Sequence, residues 1–139
     1  MDSFSIILRY SRVFLEKRLK KYNISYNEQI ILMYISKNEY TNQDNIAKNF
    51  ITDKGTVAKS IKKLEEKNLI LRKENPNNKR ENVISLSQNG RNIISHMNEL
   101  LIQWQGIIFK DFCEEEIKQM KSIKDKMISN MSNYIDNED

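Results

Sequence analysis

Residues 52–70 read TDKGTVAKSIKKLEEKNLI, a stretch in which apolar and basic residues recur with helical spacing. Val57, Ile61 and Leu64 follow an i, i+4, i+7 pattern, which places them on one face of an α-helix. The lysines and the small hydroxyl residues between them then lie on the opposite face, toward solvent. The stretch therefore predicts a two-faced helix, apolar toward a core and basic on the outside.

The ends of this helix also have sequence signals. Thr52 or Asp53 is a suitable N-cap, and Asn68 stands where a helix often needs a left-handed residue after its last turn. Between Lys54 and Lys63 there are four lysines and no carboxylate. Such a window is typical of a surface that meets phosphates, although an ordinary solvated helix face would look the same.

Two helices are predicted upstream of residue 40. Apolar residues recur with helical spacing over residues 4–22, which indicates a long first helix. Ser25 and Glu28 have the S-x-x-E spacing of a capping box, so a second helix begins there and ends near Asn38.

A short third helix is predicted from TNQDNIAKNF, residues 41–50. Thr41 and Asp44 repeat the capping spacing, with Thr41 as the N-cap. Ile46, Ala47 and Phe50 form its buried stripe.

Residues 69–87 change from helical to alternating periodicity, which predicts two strands. NPNNKREN, residues 75–82, lies between them and contains the one proline of the chain, four asparagines and a Lys-Arg pair. Its composition predicts the turn of a hairpin, with the two cations at its tip.

Two further helices follow the hairpin. Ser87 can cap a fifth helix, whose apolar positions cover more than one face and therefore predict packing against another chain. Glu114, Glu115 and Glu116 stand at the start of a sixth helix, where carboxylates complement the helix dipole.

The order of a short helix, a basic two-faced helix and a hairpin is that of a winged helix-turn-helix. A helix of about 10–12 Å diameter fits the major groove of DNA, which is about 12 Å wide. Thr56 and Ser60 would then lie near base edges, while Lys59 and Lys63 would contact phosphate or guanine. Gly55 would allow the start of the helix to approach the DNA closely.

With these features, the chain resembles the MarR family of bacterial transcription regulators. The resemblance rests on TDKGTVAKSIKKLEEKNLI and on RKENPNNKRENVISLSQNG, residues 72–90. In that family the second stretch usually reads Asp-Pro-x-Asp-Arg-Arg, followed by Leu-Thr-x-x-Gly. The matching residues here are Asn75, Pro76, Asn78, Lys79, Arg80, Leu86, Ser87 and Gly90.

The resemblance implies a mainly α fold with a small two-stranded β-wing, in a single domain over residues 1–139. Residues 25–87 would form the winged helix-turn-helix lobe, and residues 1–22 and 88–135 the helices of dimerisation. It further implies a homodimer on a pseudo-palindromic operator of double-stranded DNA, with two recognition helices about one helical turn apart. Relief of repression by a small-molecule effector or by an oxidant is also implied.

The residues expected to bind DNA come from the third helix, the fourth helix and the wing. They are Thr41, Gln43, Thr52, Lys54, Gly55, Thr56, Lys59, Ser60, Lys63, Asn78, Lys79 and Arg80. Asn75 and Asn78 replace the usual wing acids, so Arg80 is expected to lack a charged partner. Met33, Tyr34, Met97 and Trp104 could line an effector pocket or simply belong to the core.

Composition limits the other classes of protein. One cysteine, Cys113, and one histidine, His96, are too few for a zinc site, and no cofactor is expected. No phosphate loop, nucleophile elbow or catalytic cluster indicates an enzyme. No membrane span or signal peptide is predicted, so a cytoplasmic protein is expected. The alternative to a regulator is a winged-helix interaction module that binds protein or RNA.

Overall fold

A computed structural model describes residues 3–50 and 53–137, except for the side chains of Lys79 and Arg80. The chain forms two compact units, one extending to Ile102 and the other beginning at Gln103.

Six α-helices and one two-stranded sheet make up the regular structure of the described residues. The helices are α1 (Ser3–Leu19), α2 (Tyr26–Lys37), α3 (Gln43–Asn49), α4 (Lys54–Glu66), α5 (Gln88–Ile108) and α6 (Glu114–Asp136). The antiparallel strands are β1 (Ile70–Asn75) and β2 (Asn78–Leu86). The prediction of a mainly helical chain with one small hairpin is confirmed.

The first two helices meet at a tight turn. A single 3-10 turn, Lys20–Tyr22, extends α1 and ends at Asn23 in the left-handed conformation, with φ of 55°. The predicted capping box then starts α2. The Glu28 amide donates to Ser25 Oγ over 3.2 Å, and the Ser25 amide donates to Glu28 Oε2 over 2.7 Å.

The predicted start of α3 is wrong by one residue. Asn42, not Thr41, is the N-cap, and its Oδ1 accepts from the Asn45 amide over 2.8 Å. Thr41 still belongs to extended backbone, because its carbonyl accepts from the Ile84 amide over 2.7 Å and the two residues form an isolated bridge beside β2. Tyr40, with φ of 62°, turns the chain into this bridge.

The core of the first unit is made almost entirely of leucine and isoleucine, with contributions from α1 to α5 and from both strands. The apolar stripe of α4 enters it completely, since Val57, Ile61 and Leu64 are at most 1% exposed. Met97 is also fully buried there, so of the two alternatives for that residue the core is the observed one.

The hairpin has a tighter turn than the sequence indicates. Pro76 and Asn77 alone connect the strands, and the Asn77 amide donates to Asn75 Oδ1 over 3.0 Å. The ladder is regular from Ile70↔Leu86 to Glu74↔Asn82, but the next pair is Asn75↔Asn78. Residues 79–81 of β2 therefore have no partner in β1. The Lys-Arg pair lies in this register shift and not at the tip.

The start of α5 packs directly on the end of α4. Asn68 is left-handed, with φ of 56°, and Ser87 caps α5 by accepting from the Gly90 amide over 2.9 Å, so both predictions are confirmed. The Ser87 hydroxyl also donates to the Asn68 carbonyl over 2.6 Å. Gly90 is required here because a Cβ at this position would lie 2.0 Å from the Leu69 carbonyl oxygen.

The second unit contains the end of α5 and the whole of α6. As predicted, α6 begins at the three glutamates, and the amide of its N-cap Cys113 donates to Glu116 Oε2 over 2.8 Å. The apolar stripe of α6 is exposed within its unit, at Ile117, Met120, Ile123, Met127, Met131 and Tyr134. Of the helices described, none combines the length and the apolar character that crossing a bilayer would demand.

Candidate nucleic-acid interface

The outer face of α4 presents a row of cations to solvent. Lys59, Lys62 and Lys63 are exposed, and Ser60 is half-buried between this face and the core. The two-faced character predicted for α4 is thus confirmed. A helix with such a face can enter a groove of nucleic acid without exposing its apolar side.

The first turn of α4 is closed by Asp53, one of the two predicted caps. Its Oδ1 accepts from the Thr56 amide over 2.8 Å, and its Oδ2 accepts from the Thr56 hydroxyl over 2.6 Å. These bonds, led by the one from the hydroxyl, lower the pKa of the Asp53 carboxyl below its ordinary value. Asp53 therefore remains ionised at neutral pH. Thr52, the other predicted cap, lies outside the described residues.

Gly55 leaves room for this cap. A Cβ on Gly55 would lie 3.0 Å from Asp53 Oδ1, closer than a normal contact. The sequence predicts that Gly55 allows DNA to approach the helix. The structure adds a second reason for glycine, which is that the Asp53 carboxylate folds over the first turn at this point.

The first turn of α3 supports the start of α4. Gln43 Nε2 donates to the Lys54 carbonyl over 3.3 Å. Lys54 Nζ lies 3.0 Å from Asp44 Oδ1, with both side chains about two-thirds exposed at 70% and 67%. An ion pair this exposed is weak, so Lys54 can exchange Asp44 for a phosphate at little cost.

Thr41 is the predicted site residue whose side chain is buried in the structure. It is 6% exposed, and its backbone bridges to Ile84 of β2. A buried threonine beside the sheet supports the wing and presents little side-chain surface to a ligand. We therefore leave Thr41 out of the proposed contacts.

The wing is tied to α3 by Glu81, a residue that the sequence did not single out. Glu81 Oε1 accepts from the side-chain amide of Asn42, the N-cap of α3, and Oε2 accepts from Asn75 Nδ2 over 3.3 Å. The register shift of β2 is thus anchored at Glu81, to the start of α3 and to the end of β1. Its position directly after Arg80 was the only available signal for Glu81.

Lys79 and Arg80, the predicted cations of the wing, precede Glu81 in this register shift. Their backbone is part of β2, whereas their side chains lie outside the described residues. Asn78, the remaining wing residue of the prediction, is exposed beside the turn.

A polar groove of about 410 Å³ separates α3 from the wing. Its lining is mostly amides and charged groups, from Asn42, Gln43, Asp44, Arg72, Asn78, Glu81, Asn82 and Ile84. Arg72 Nε is buried, and its distance of 3.7 Å from Glu65 Oε2 is too long for a hydrogen bond. The groove thus adjoins two elements that the sequence assigns to DNA binding, α3 and the wing.

The far end of α4 is fixed by a buried ion pair. Lys67 Nζ donates to Glu28 Oε1 and Oε2 over 2.9 and 2.8 Å, and to the Asn23 carbonyl over 2.6 Å. Burial raises the pKa of Glu28, but hydrogen bonds from Lys67 and Ser25 outweigh it and lower that pKa below its ordinary value of 4.5. The pair joins α4 to the turn between α1 and α2.

Within residues 3–50 and 53–137, no group of three or more histidine, cysteine or carboxylate side chains is arranged to hold a metal ion. The polar groups that do converge are amides, lysines, one arginine and single carboxylates. Such a set binds by hydrogen bonds and charge.

Comparison with known proteins supplies the biological context. The family model described as "Transcriptional regulator SarA/Rot" matches residues 13–97. The HTH-type transcriptional regulator SarZ of Staphylococcus aureus is 28% identical over 139 residues, which cover 100% of this chain and 87% of SarZ.

Solved structures agree with the fold. The crystal structure of MarR superposes with a TM-score of 0.82 at 30% identity, covering 94% of this chain and 95% of that one. The S. aureus MepR–DNA complex has a TM-score of 0.82 at 24% identity, covering 91% and 94%. At that identity the likeness to MepR concerns the fold alone.

Proposed function

Because this chain belongs to the SarA/Rot family of transcriptional regulators and has the MarR-type winged-helix fold, we propose that it binds double-stranded DNA and regulates transcription. The observation that carries the proposal is the exposed basic face of α4, set beside the wing and backed by a buried apolar stripe. In this proposal α4 enters the major groove, and the wing lies along the neighbouring backbone or minor groove.

The proposed contacts divide into two kinds. Lys54, Lys59 and Lys63 neutralise phosphates or reach guanine, as do Lys79 and Arg80 of the wing. The uncharged polar residues position the helix or approach base edges, and they are Gln43, Gly55, Thr56, Ser60 and Asn78. Thr52 is kept with the first turn of α4 as a predicted phosphate contact.

We further propose that the protein acts as a homodimer. Phe4, Leu8 and Val13 of α1 are between 58% and 66% exposed, and the stripe of α6 is exposed within its own unit. Apolar area of this extent on both units favours burial against a second copy. A two-fold dimer would present two copies of α4 to a pseudo-palindromic operator.

Repression with release by a small ligand is the regulatory part of the proposal. A cavity of about 250 Å³ lies beneath the first half of α4. Its lining is Asn27, Ile30, Ile31, Phe50, Thr56, Val57 and Ser60. A small, largely apolar molecule bound there would shift α4 directly, since Thr56 and Ser60 also belong to the proposed DNA contacts. The proposal places the protein in the cytoplasm with its operator.

Footprinting tests the central claim. Purified protein should protect a palindromic segment upstream of its own gene and should bind that segment more tightly than random duplex. Equal affinity for operator and random duplex would overturn the regulator proposal. Tighter binding to RNA or to a protein from the same cell would instead favour the interaction module.

Sedimentation tests the dimer. We expect a dimer at micromolar concentration, and a monomer under those conditions would contradict this part of the proposal. Substitution of Leu8 by Glu should shift the equilibrium toward monomer, because the charge would be buried in the interface.

A further inference from the structure

The hydroxyl group of Thr56 has only one hydrogen, and the distances around its oxygen indicate which group accepts it. Thr56 Oγ1 lies 2.6 Å from Asp53 Oδ2, a length typical of a hydroxyl that donates to a carboxylate. An ionised carboxylate has no hydrogen to give, so the hydroxyl must be the donor. The Thr56 amide is also committed, at 2.8 Å from Asp53 Oδ1.

Thr56 therefore faces solvent as an acceptor only. Its hydroxyl oxygen keeps lone pairs but has no hydrogen left for a ligand. The adjacent Asp53 carboxylate is likewise an acceptor. Both residues are exposed, so at this corner of α4 the side chains of Asp53 and Thr56 offer acceptors, while the neighbouring Lys54 carries the donor.

The side chains of Asp53 and Thr56 are therefore poor phosphate contacts. Phosphate oxygens are acceptors and carry negative charge, so Asp53 would repel them. Lys59 and Lys63 are exposed one and two turns further along α4 and are better placed for the backbone. If α4 enters the major groove, the acceptor corner faces the bases.

The donors and acceptors of the major groove differ between bases. Adenine N6 and cytosine N4 are the amino donors, whereas guanine O6 and N7 and thymine O4 are acceptors. We propose that Thr56, held by Asp53, determines specificity by accepting a hydrogen bond from adenine N6 or cytosine N4. Guanine or thymine in that place would set acceptor against acceptor. The inference rests on the proposed binding to DNA and adds a base preference to it.

Gly55 supports this arrangement. A Cβ at Gly55 would lie 3.0 Å from Asp53 Oδ1, so the carboxylate would have to shift by a few tenths of an ångström. The three residues therefore act together, with Thr56 toward the base, Asp53 holding the hydrogen and Gly55 leaving the space.

Selection from a random duplex pool, followed by sequencing, tests the inference with the full-length protein. Wild-type protein should enrich adenine or cytosine at one position of each half-site, by about tenfold for a single hydrogen bond. Thr56→Val keeps the shape of the side chain and removes the hydroxyl, so it should lose the preference at that position alone. Thr56→Ser keeps the hydroxyl and should retain it.

Asp53→Asn provides a sharper test. Asparagine is as good an N-cap as aspartate, so α4 should form normally, as circular dichroism can verify. With Oδ1 retained by the Thr56 amide, the new Nδ2 would donate to Thr56 Oγ1 and release the hydroxyl hydrogen. The preferred base at that position should then change toward guanine or thymine.

The outcomes separate the inference from the proposed function. A wild-type protein that selects a motif which Thr56→Val leaves unchanged would overturn the inference and preserve the regulator. An unchanged preference in Asp53→Asn would overturn the hydrogen assignment on which the inference depends. A wild-type protein that selects no motif would overturn the proposed function itself.

Discussion

The two ends of α4 are held in opposite ways. At the C-terminal end, Lys67 reaches Glu28, which is 3% exposed, and the chain continues directly into the core through Leu69 and Ile70. At the N-terminal end the contacts of Asp53, Thr56 and Lys54 are all exposed. Exposed ion pairs such as Lys54–Asp44 can exchange partners at little cost, whereas buried ones cannot. The N-terminal end is thus adaptable at Lys54, while Asp53 keeps Thr56 in place, and the opposite end fixes the position of the helix.

Removing the buried carboxylate should have the largest effect on stability. Glu28→Ala leaves Lys67 without its charged partner and removes half of the capping box of α2. We expect a loss of roughly 3 kcal/mol in the free energy of unfolding, measured with urea. Glu66→Ala, at an exposed carboxylate of α4, is the control and should change stability by less than about 0.5 kcal/mol. Similar losses in both variants would remove the contrast between the two ends.

A methyl group at Gly90 should also destabilise the C-terminal end of α4, in this case through a steric clash. Its Cβ would lie 2.0 Å from the Leu69 carbonyl oxygen, so α5 would have to move from the end of α4. Overpacking of this kind costs about 1–3 kcal/mol, which thermal or urea unfolding would detect. Gly106→Ala on the same helix meets nothing within 4 Å among the described residues and should be neutral or stabilising.

Acid should weaken the fixed end selectively. The folded-state pKa of Glu28 lies below its ordinary value of 4.5, so its contribution is complete above that pH and is lost as the pH falls through the lower folded value. As the pH is lowered from 6 through the folded-state pKa of Glu28, the free energy of unfolding should decline less in Glu28→Gln than in wild type. Parallel curves would show that the ion pair does not contribute to acid sensitivity.

The cap at the adaptable end should matter less. Asp53→Ala removes the acceptor for the Thr56 amide, and we expect the melting temperature to fall by a few degrees. Asp53→Asn keeps an acceptor and should melt close to wild type. A loss from Asp53→Ala that matches Glu28→Ala would mean that both ends are equally fixed.

The exposed ion pair should give the smallest change. Asp44→Asn should alter stability by less than about 0.5 kcal/mol, because both partners are well solvated. Affinity for duplex DNA should rise slightly at low salt, since Lys54 is released and a negative charge is removed. Reduced affinity would show that Asp44 holds Lys54 in the position needed for binding.

Local patterns in the sequence predicted much of this architecture. The periodicity of α4, the capping box at Ser25, the left-handed Asn68 and the cap at Ser87 all depend on residues within a few positions of one another. Asn42 was missed as the cap of α3 because Thr41 fits the same pattern. Only the bridge to Ile84 excludes Thr41 as the cap. Local spacing cannot distinguish two adjacent capping residues.

Contacts between distant residues could not be predicted in this way. Lys67 and Glu28 are 39 positions apart, as are Asn42 and Glu81, and neither pair leaves a periodic signal. The contrast between the two ends of α4 depends on the first pair, and the anchoring of the wing on the second. Both follow from tertiary packing.

Because of the register shift in the hairpin, the length of the wing does not depend on how the two strands pair. The ladder from Ile70↔Leu86 to Glu74↔Asn82 is complete without residues 79–81, which have no partner in β1. Residues inserted or deleted in this segment would therefore lengthen or shorten the wing while every pair of the ladder kept its alignment. The length of the wing can therefore change without rebuilding the sheet that carries it.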